Sequence, residues 1–322
     1  MRDLLRTRPF GFALLLSLAL LVANIIAEPS FGDPSNWPQE LASFAPLAIV
    51  AMASTPSILS GGGGLDLSVG PLAIFCNILL VHKFFPGSID SGWEAVPLLL
   101  AIGAAVGIAN GVLVTVLRYQ PVIATLCTFF ILIGINFKMG ATPRPTPDSN
   151  WTTNLGDQVG FFPGALILIL VPAVVWLVLS RTSYHRQLYA VGGNDATAFS
   201  AGVNVNATRI VAYALGGLFA AIAGIALTAL VQSSQAASSA QYTLIALAGV
   251  ALGGTVLGGG RGGLLGSALG AFAIYLMQTF LSAVNVPPTW NSVVYGGMLV
   301  AGVIVGARLV ALRPAAVKAA PA

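Results

Sequence analysis

Four glycines stand in an unbroken row at positions 61 to 64, followed by a carboxylate at Asp66 and the run Leu67-Ser68-Val69-Gly70. A glycine-rich turn ahead of a helix can cradle a phosphate, but that chemistry needs a lysine and a hydroxyl in the spacing G-x-x-x-x-G-K-[ST]. Neither this run nor the second one at 258–263 has the lysine. Asp66 then has two readings. It caps the positive N-terminus of the apolar helix it opens, or it is an intramembrane carboxylate that meets a solute or a partner chain. Other chemistry finds no constellation. His82 and His185 lie far apart without a ligand at helical spacing, and Cys76 and Cys127 sit inside apolar runs, where they read as small buried hydrophobes. The apolar segments hold no nucleophile–base pair, so the sequence predicts no catalytic residue, no metal site and no cofactor held by this chain.

The elements that position these residues follow from composition. Of 322 residues, 57% are hydrophobic and 7% charged, with a mean hydropathy of +0.89. A soluble domain carries about a quarter charged residues, so this chain cannot cover a water-facing surface. The expected fold is an all-α polytopic membrane protein. A crossing takes about 20 apolar residues, and ten candidate spans are read at 10–27, 41–60, 67–81, 95–117, 121–139, 161–179, 209–231, 241–259, 264–283 and 291–307. The third is short, which predicts a broken or re-entrant segment there. The first lies behind Arg2, Arg6 and Arg8 and is longer than a signal-peptide core, so it reads as a retained helix.

Basic residues set the orientation. With both termini cytoplasmic, eleven lysines and arginines fall inside (Arg2, Arg6, Arg8, Arg118, Arg181, Arg186, Arg209, Arg261, Arg308, Arg313, Lys318) and three outside (Lys83, Lys138, Arg144). Seven of the ten acids fall outside. The 37 glycines are concentrated in stretches such as AIGAAVGIANG and GGLLGSALGAFA. Such small-residue spacing lets helix backbones approach closely in lipid. Glycines 61 to 64 cannot sustain a helix, since each costs about 1 kcal/mol relative to alanine. Irregular backbone at membrane depth is tolerated only where it is buried or lines water.

The longest cytoplasmic segment, 181–209, reads RTSYHRQLYAVGGNDATAFSAGVNVNATR. Gly192 and Gly193 are expected to form a turn, Asn194 or Asp195 to cap, and ATAFSAG, Ala196 to Gly202, to give one or two helical turns ending at Gly202. Small Ala196, Ala198 and Ala201 permit close approach by a partner. A docking element and a plain connecting loop are equally good readings of this segment. Polar residues within the spans, Asn77, Asn110, Thr125, Thr128, Asn136, Thr228, Gln232 and Gln278, are candidates to line a solute path. For each of them the plainer reading is an interhelical hydrogen bond, worth about 0.6 kcal/mol.

The segments SGGGGLDLSVG, RYQPVIATL, RQLYAVGGNDATAFSAGVNV, GGLFAAIAGI and LGGTVLGGGRGGLLGSALGA occur in that order. Together they resemble the permease subunits of ribose-, xylose- and galactose-type ATP-binding-cassette importers, over nearly the whole chain. The resemblance implies a single permease domain over 1–322 in a bacterial inner membrane, with 181–209 as its coupling segment. It implies a second permease copy or a sister permease beside the chain. A cytoplasmic ATPase, carrying ATP and magnesium, would dock after Val191-Gly192-Gly193-Asn194, and a periplasmic binding protein would deliver the sugar. The motif positions carried over are Gly62, Gly63, Asp66, Ser68 and Gly70 in the elbow, and Gly192, Gly193, Asn194, Asp195, Ala196, Ala198 and Gly202 in the coupling segment. The chain departs from the family's Glu-Leu-Asp, matched here by Thr243, Leu244 and Ile245, at its two acids, near Ile133, where an arginine is usual, and at His185 in place of glycine. A secondary, ion-coupled transporter or facilitator for a small polar solute is the alternative, with Asp66 as its one candidate ion site. Membrane lipid is an expected partner and nucleic acid is not.

Overall fold

The computed structural model describes residues 10–311, apart from 88, 149 and 160–161. Each of the ten apolar runs folds as a helix. They are α1 (Gly11–Ala27), α2 (Trp37–Leu59), α3 (Val69–Leu79), α4 (Gly92–Thr115), α5 (Pro121–Met139), α7 (Gly164–Ser180), α10 (Val205–Val231), α11 (Ser239–Leu252), α12 (Leu264–Ala283) and α13 (Asn291–Ala311). Short helices fill the links: α6 (Trp151–Gly156), α8 (Ser183–Gly193) and α9 (Asp195–Ser200). One two-stranded antiparallel ribbon pairs Gln158 with Pro163. Among the described residues, five helices are long and apolar enough to cross a membrane, and a sixth crossing is possible if the bent pair α7–α8 counts as one. Helices α1, α3 and α11 are apolar but shorter.

The differences from the sequence reading are local. The third apolar run is not broken: α3 passes directly into a π-helical turn at Leu80–Phe84, where it ends. The break lies ahead of it, at residues 60–68. The eighth run ends at Leu252 rather than at 259, because Gly253 and Gly254 follow and Gly254 takes φ +77°. The basic residues Arg2, Arg6, Arg8, Arg313 and Lys318 lie outside the described residues.

Helix α10 is the axis of the bundle. Asn204 starts it, its Oδ1 accepting the Ala207 N–H at 3.0 Å, and Gln232 ends it in the left-handed conformation with φ +50°. It packs on α2, α3 and α4. Glycines set the α4–α10 separation: Gly103 lies on the Gly217 carbonyl, Gly107 on the Tyr213 carbonyl, and a Cβ at Gly111 would come within 2.9 Å of Ile210 Cα. The core is built from Ala45, Ala48, Ile49, Leu72, Phe219, Ala220 and Ala246 with their neighbours, all buried. By contrast α5 shows Phe130, Ile131 and Phe137 on its outer face. Cys76 is buried, whereas Cys127, expected to be buried, lies on that outer face of α5.

The connections gather at two ends. At one end Gly260 N–H donates to Leu59 O (3.0 Å) and Thr125 Oγ1 to Leu65 O (3.1 Å), which brings together 60–68, the start of α5 and 253–263. At the other end Thr146 N–H donates to Gln232 O (2.9 Å), Ser234 N–H to Arg144 O (3.0 Å), and His82 pairs with Ser234 (3.0 Å).

The α4–α10 contact predicts a contrast between two glycines. Gly107→Leu forces the Tyr213 backbone away, and such overpacking costs about 1–3 kcal/mol or more. Gly134→Leu on α5 meets nothing within 4 Å. In detergent, Gly107→Leu should lower the thermal midpoint and the monodisperse yield, while Gly134→Leu should match the parent protein.

Candidate functional site

The glycine run makes an elbow between α2 and α3. Gly61, Gly62 and Gly63 take φ values of +73°, +63° and +72°, a region that L side chains avoid. Three backbones meet at this elbow. A Cβ on Gly61 would fall 2.8 Å from Gly192 Cα, one on Gly192 would fall 2.5 Å from Gly260 N, and one on Gly260 would fall 2.7 Å from Gly193 N. Gly259 and Gly260 also have positive φ, +97° and +68°. The end of α2, the end of α8 and the 258–263 loop therefore pack backbone to backbone, with glycine demanded on all three sides. Tyr189 Oη adds a hydrogen bond to Gly262 O at 2.7 Å.

Gly192 and Gly193 belong to this contact and are helical, not a turn. The missing side chain of Gly192 serves the approach of Leu59, Gly61 and Gly260, whereas a Cβ on Gly193 would meet nothing within 4 Å. The chain turns one residue later. Asn194 is the N-cap of α9, its Oδ1 accepting the Thr197 N–H at 2.9 Å. The short helix therefore runs over Asp195–Ser200, a tighter range than expected, and Gly202 closes it with φ +81°. Helix α8 leaves α7 at 88°, so α8 lies across the end of α7 and carries the chain to α9. On α9, Ala196 and Thr197 are exposed, but Ala198 is buried against the chain itself. The side chain that α9 presents outward is Phe199, 73% exposed. An open cavity of about 480 Å³ lies beside it, lined by Gly202, Val203, Asn204, Val205 and Asn206. His185 packs 4.8 Å from Tyr189 and 5.5 Å from Trp176. Burial there holds its imidazole below the usual pKa, so the ring is neutral at pH 7.

Asp66 is buried, and it is not the N-cap of α3. Ser68 holds that position, and Asp66 Oδ1 accepts both the Ser68 N–H (2.9 Å) and the Ser68 Oγ–H (2.7 Å). The chain of bonds continues outward from there. Asn110 Nδ2 donates to Ser68 Oγ at 2.8 Å, and Thr128 Oγ1 donates to Asn110 Oδ1 at 2.6 Å. Thr125 holds the Leu65 carbonyl, while Thr243 Oγ1 donates to Leu67 O at 3.0 Å. Gly70 lets α3 lie on α11, since a Cβ there would fall 2.6 Å from Thr243 N. The elbow is thereby tied to α4, α5 and α11. Thr243, a departure from the family pattern, supplies one of the ties.

The other polar candidates sit elsewhere. Asn77 Nδ2 donates to Thr228 Oγ1 (2.9 Å) and Ser233 O (3.0 Å), and its Oδ1 accepts the Gln235 N–H. Asn136 Nδ2 donates to Pro71 O at 2.9 Å, leaving its buried Oδ1 without a partner. Gln232 Oε1 accepts from Thr146 (2.7 Å) and Asn150 (3.0 Å) at the opposite end. Gln278 is half-buried on α12. Of the sequence candidates, the structure brings Asp66, Ser68, Asn110, Thr125 and Thr128 into one group and keeps Asn77, Asn136 and Gln232 apart from it.

Two residues are central here that the sequence did not single out. Arg209, at the start of α10, places Nη2 at 2.7 and 2.6 Å from the two Asp195 carboxylate oxygens and Nε at 3.3 Å from Ser60 O. Phe199 carried a signal, being the one aromatic in ATAFSAG. Arg209 carried none, because its partners lie far from it along the chain.

A family model described as branched-chain amino acid transport system / permease component matches residues 39–303. The ribose import permease protein RbsC of Bacillus subtilis (strain 168) is 33% identical, over 90% of this chain and 90% of its own length. The autoinducer 2 import system permease protein LsrC of Klebsiella pneumoniae is 33% identical over 96% of this chain and 89% of its own. The galactose/methyl galactoside import permease protein MglC of Haemophilus influenzae is 26% identical over 94% of each. No solved structure matches. The chain belongs to the branched-chain amino acid transport system permease family and is a multi-pass membrane protein.

Proposed function

We propose that the chain is the membrane-spanning permease subunit of an ATP-binding-cassette importer. It passes a monosaccharide or related polyol from a periplasmic binding protein across a bacterial inner membrane into the cytoplasm. The relatives named above, which import ribose, autoinducer 2 and galactose, support a small polyol as cargo. The observation that carries the reading is the capped helix α9. It follows directly on α8, whose Gly192 packs on the glycine elbow, and it turns Phe199 outward. A lipid-buried connection has no use for an exposed, capped helix of this kind, whereas a partner ATPase needs one to push against.

In this reading the chain is one permease domain with ten crossings and both termini cytoplasmic. The end that holds Arg118, Arg181, Arg186, Arg209 and Arg261 faces the cytoplasm, in accord with the distribution of basic residues. ATP and magnesium belong to the docked ATPase, so this subunit catalyses nothing itself. A second permease, identical or a sister chain, completes the pathway.

Two expected outcomes follow. Phe199→Ser should leave insertion and thermal stability unchanged but remove most co-purification of the ATPase, since the ring is 73% exposed. Ala198→Glu should instead lower the folded yield, because that side chain is buried. Retention of the ATPase by Phe199→Ser would contradict the docking role. At the elbow, Asp66→Asn keeps an acceptor for the Ser68 N–H and should retain substantial uptake of labelled sugar. Asp66→Leu leaves that buried donor unpaired, at about 1–3 kcal/mol, and should lose both uptake and thermal stability. Equal and complete loss of uptake in both variants at full protein level would make the carboxylate charge itself the requirement.

A further inference from the structure

We propose that Arg209 is a positioning residue that couples helix α9 to the glycine elbow, so that movement of the docked ATPase reaches the elbow through its guanidinium as well as through the backbone contact at Gly192. The inference rests on the docking role of α9 proposed above and adds the path by which docking is felt inside the bundle.

Three contacts place Arg209 between two elements. Its Nη2 holds both carboxylate oxygens of Asp195, the first residue of α9, at 2.7 and 2.6 Å. Its Nε reaches the Ser60 carbonyl at the end of α2, at 3.3 Å. Its guanidinium also lies on the open face of Gly62, where a Cβ would fall 2.5 Å from Nη2 and 2.9 Å from Cζ. Glycine at 62 thus has a second reason besides its φ of +63°: it makes the seat for the arginine. The side chains differ in exposure, Arg209 at 14% and Asp195 at 48%. The arginine is fixed in the protein, while its partner sits on the part that meets the ATPase.

An exposed ion pair contributes little to stability as such, and this is the one ion pair among the described residues. Its use lies in geometry. Helix α9 has six residues, of which Ala198 alone is buried. Apart from its backbone connections, the Asp195 carboxylate is its charged link to α10 and the elbow. From Ser60 the path continues through Gly61 to Gly64 into Asp66, Ser68, Asn110 and Thr128, so a shift of the guanidinium would be felt in α3, α4 and α5. A lysine cannot replace this arrangement, because it offers one point charge where arginine uses two separated nitrogens.

The test uses the full complex in lipid nanodiscs: this chain with its partner permease, ATPase and binding protein. Arg209→Lys, Asp195→Asn and the double variant are compared with the parent. The readouts are ATPase co-purification and stimulation of ATP hydrolysis by binding protein loaded with D-ribose or D-galactose. The expected result is co-purification near the parent level in all three, with stimulation reduced about fivefold or more. The double variant should be no worse than either single change, since both break one link. Parent-level stimulation in Arg209→Lys would overturn the proposal while leaving the importer reading intact. Loss of co-purification in step with stimulation would also overturn it, by showing that the pair only shapes the docking surface. No stimulation of the parent complex by either sugar would overturn a ribose or galactose cargo, and with it the proposal as tested on those sugars.

Discussion

The structure depends on one close approach. Leu59 to Gly61, Gly192 to Gly193 and Gly259 to Gly260 come from distant parts of the chain, yet their backbones touch with no side chain between them. The Gly260 N–H donates to Leu59 O at 3.0 Å across this contact. Where three backbones meet this closely, a methyl group on Gly61, Gly192, Gly259 or Gly260 requires the others to move. Protein interiors pass strain on rather than absorb it. The junction therefore acts as a rigid node, which the docking helix enters from one side and the α2–α3 elbow from the other.

Membrane burial explains how the elbow can exist. Away from water each unpaired backbone group costs several kcal/mol, so an irregular stretch must be bonded within the protein. The stretch 60–68 meets this demand with side chains from other helices. Thr125 takes the Leu65 carbonyl, Thr243 the Leu67 carbonyl and Arg209 the Ser60 carbonyl, while Asp66 accepts the Ser68 N–H. Polar residues that looked like the lining of a solute path, Asn110 and Thr128 among them, are occupied in holding this turn. The elbow is fixed by α4, α5, α10 and α11 at once, so movement of the node is shared by all of them.

Much of this was legible in the sequence because hydropathy and glycine carry local signals. Each apolar run became a helix, and the glycine row became irregular backbone. Asn194 capped α9 as its residue type and position indicated. The misreadings share a cause, which is that tertiary contact decided the outcome. Gly192 and Gly193 looked like a turn, but they are helical, and the smallness of Gly192 serves the approach to Gly61 and Gly260. Asp66 looked like a cap, and it sits two residues too early, bonding Ser68 instead. Ala198 looked like a contact surface, yet the register of α9 turns it inward and Phe199 outward. The Arg209–Asp195 pair spans fourteen positions, and no helical spacing could have suggested it.

The central claim is that docking helix, glycine node and elbow move as one unit. Hydrogen–deuterium exchange of the assembled complex, with and without ATP, measures this directly on peptides covering 57–66, 189–200 and 258–263. The account predicts that protection of the three peptides changes together on adding ATP. It also predicts that Gly192→Ala, whose methyl would press on Leu59 and Gly260, raises exchange in all three. A change confined to 189–200, with 57–66 and 258–263 unmoved by ATP or by the substitution, would contradict it.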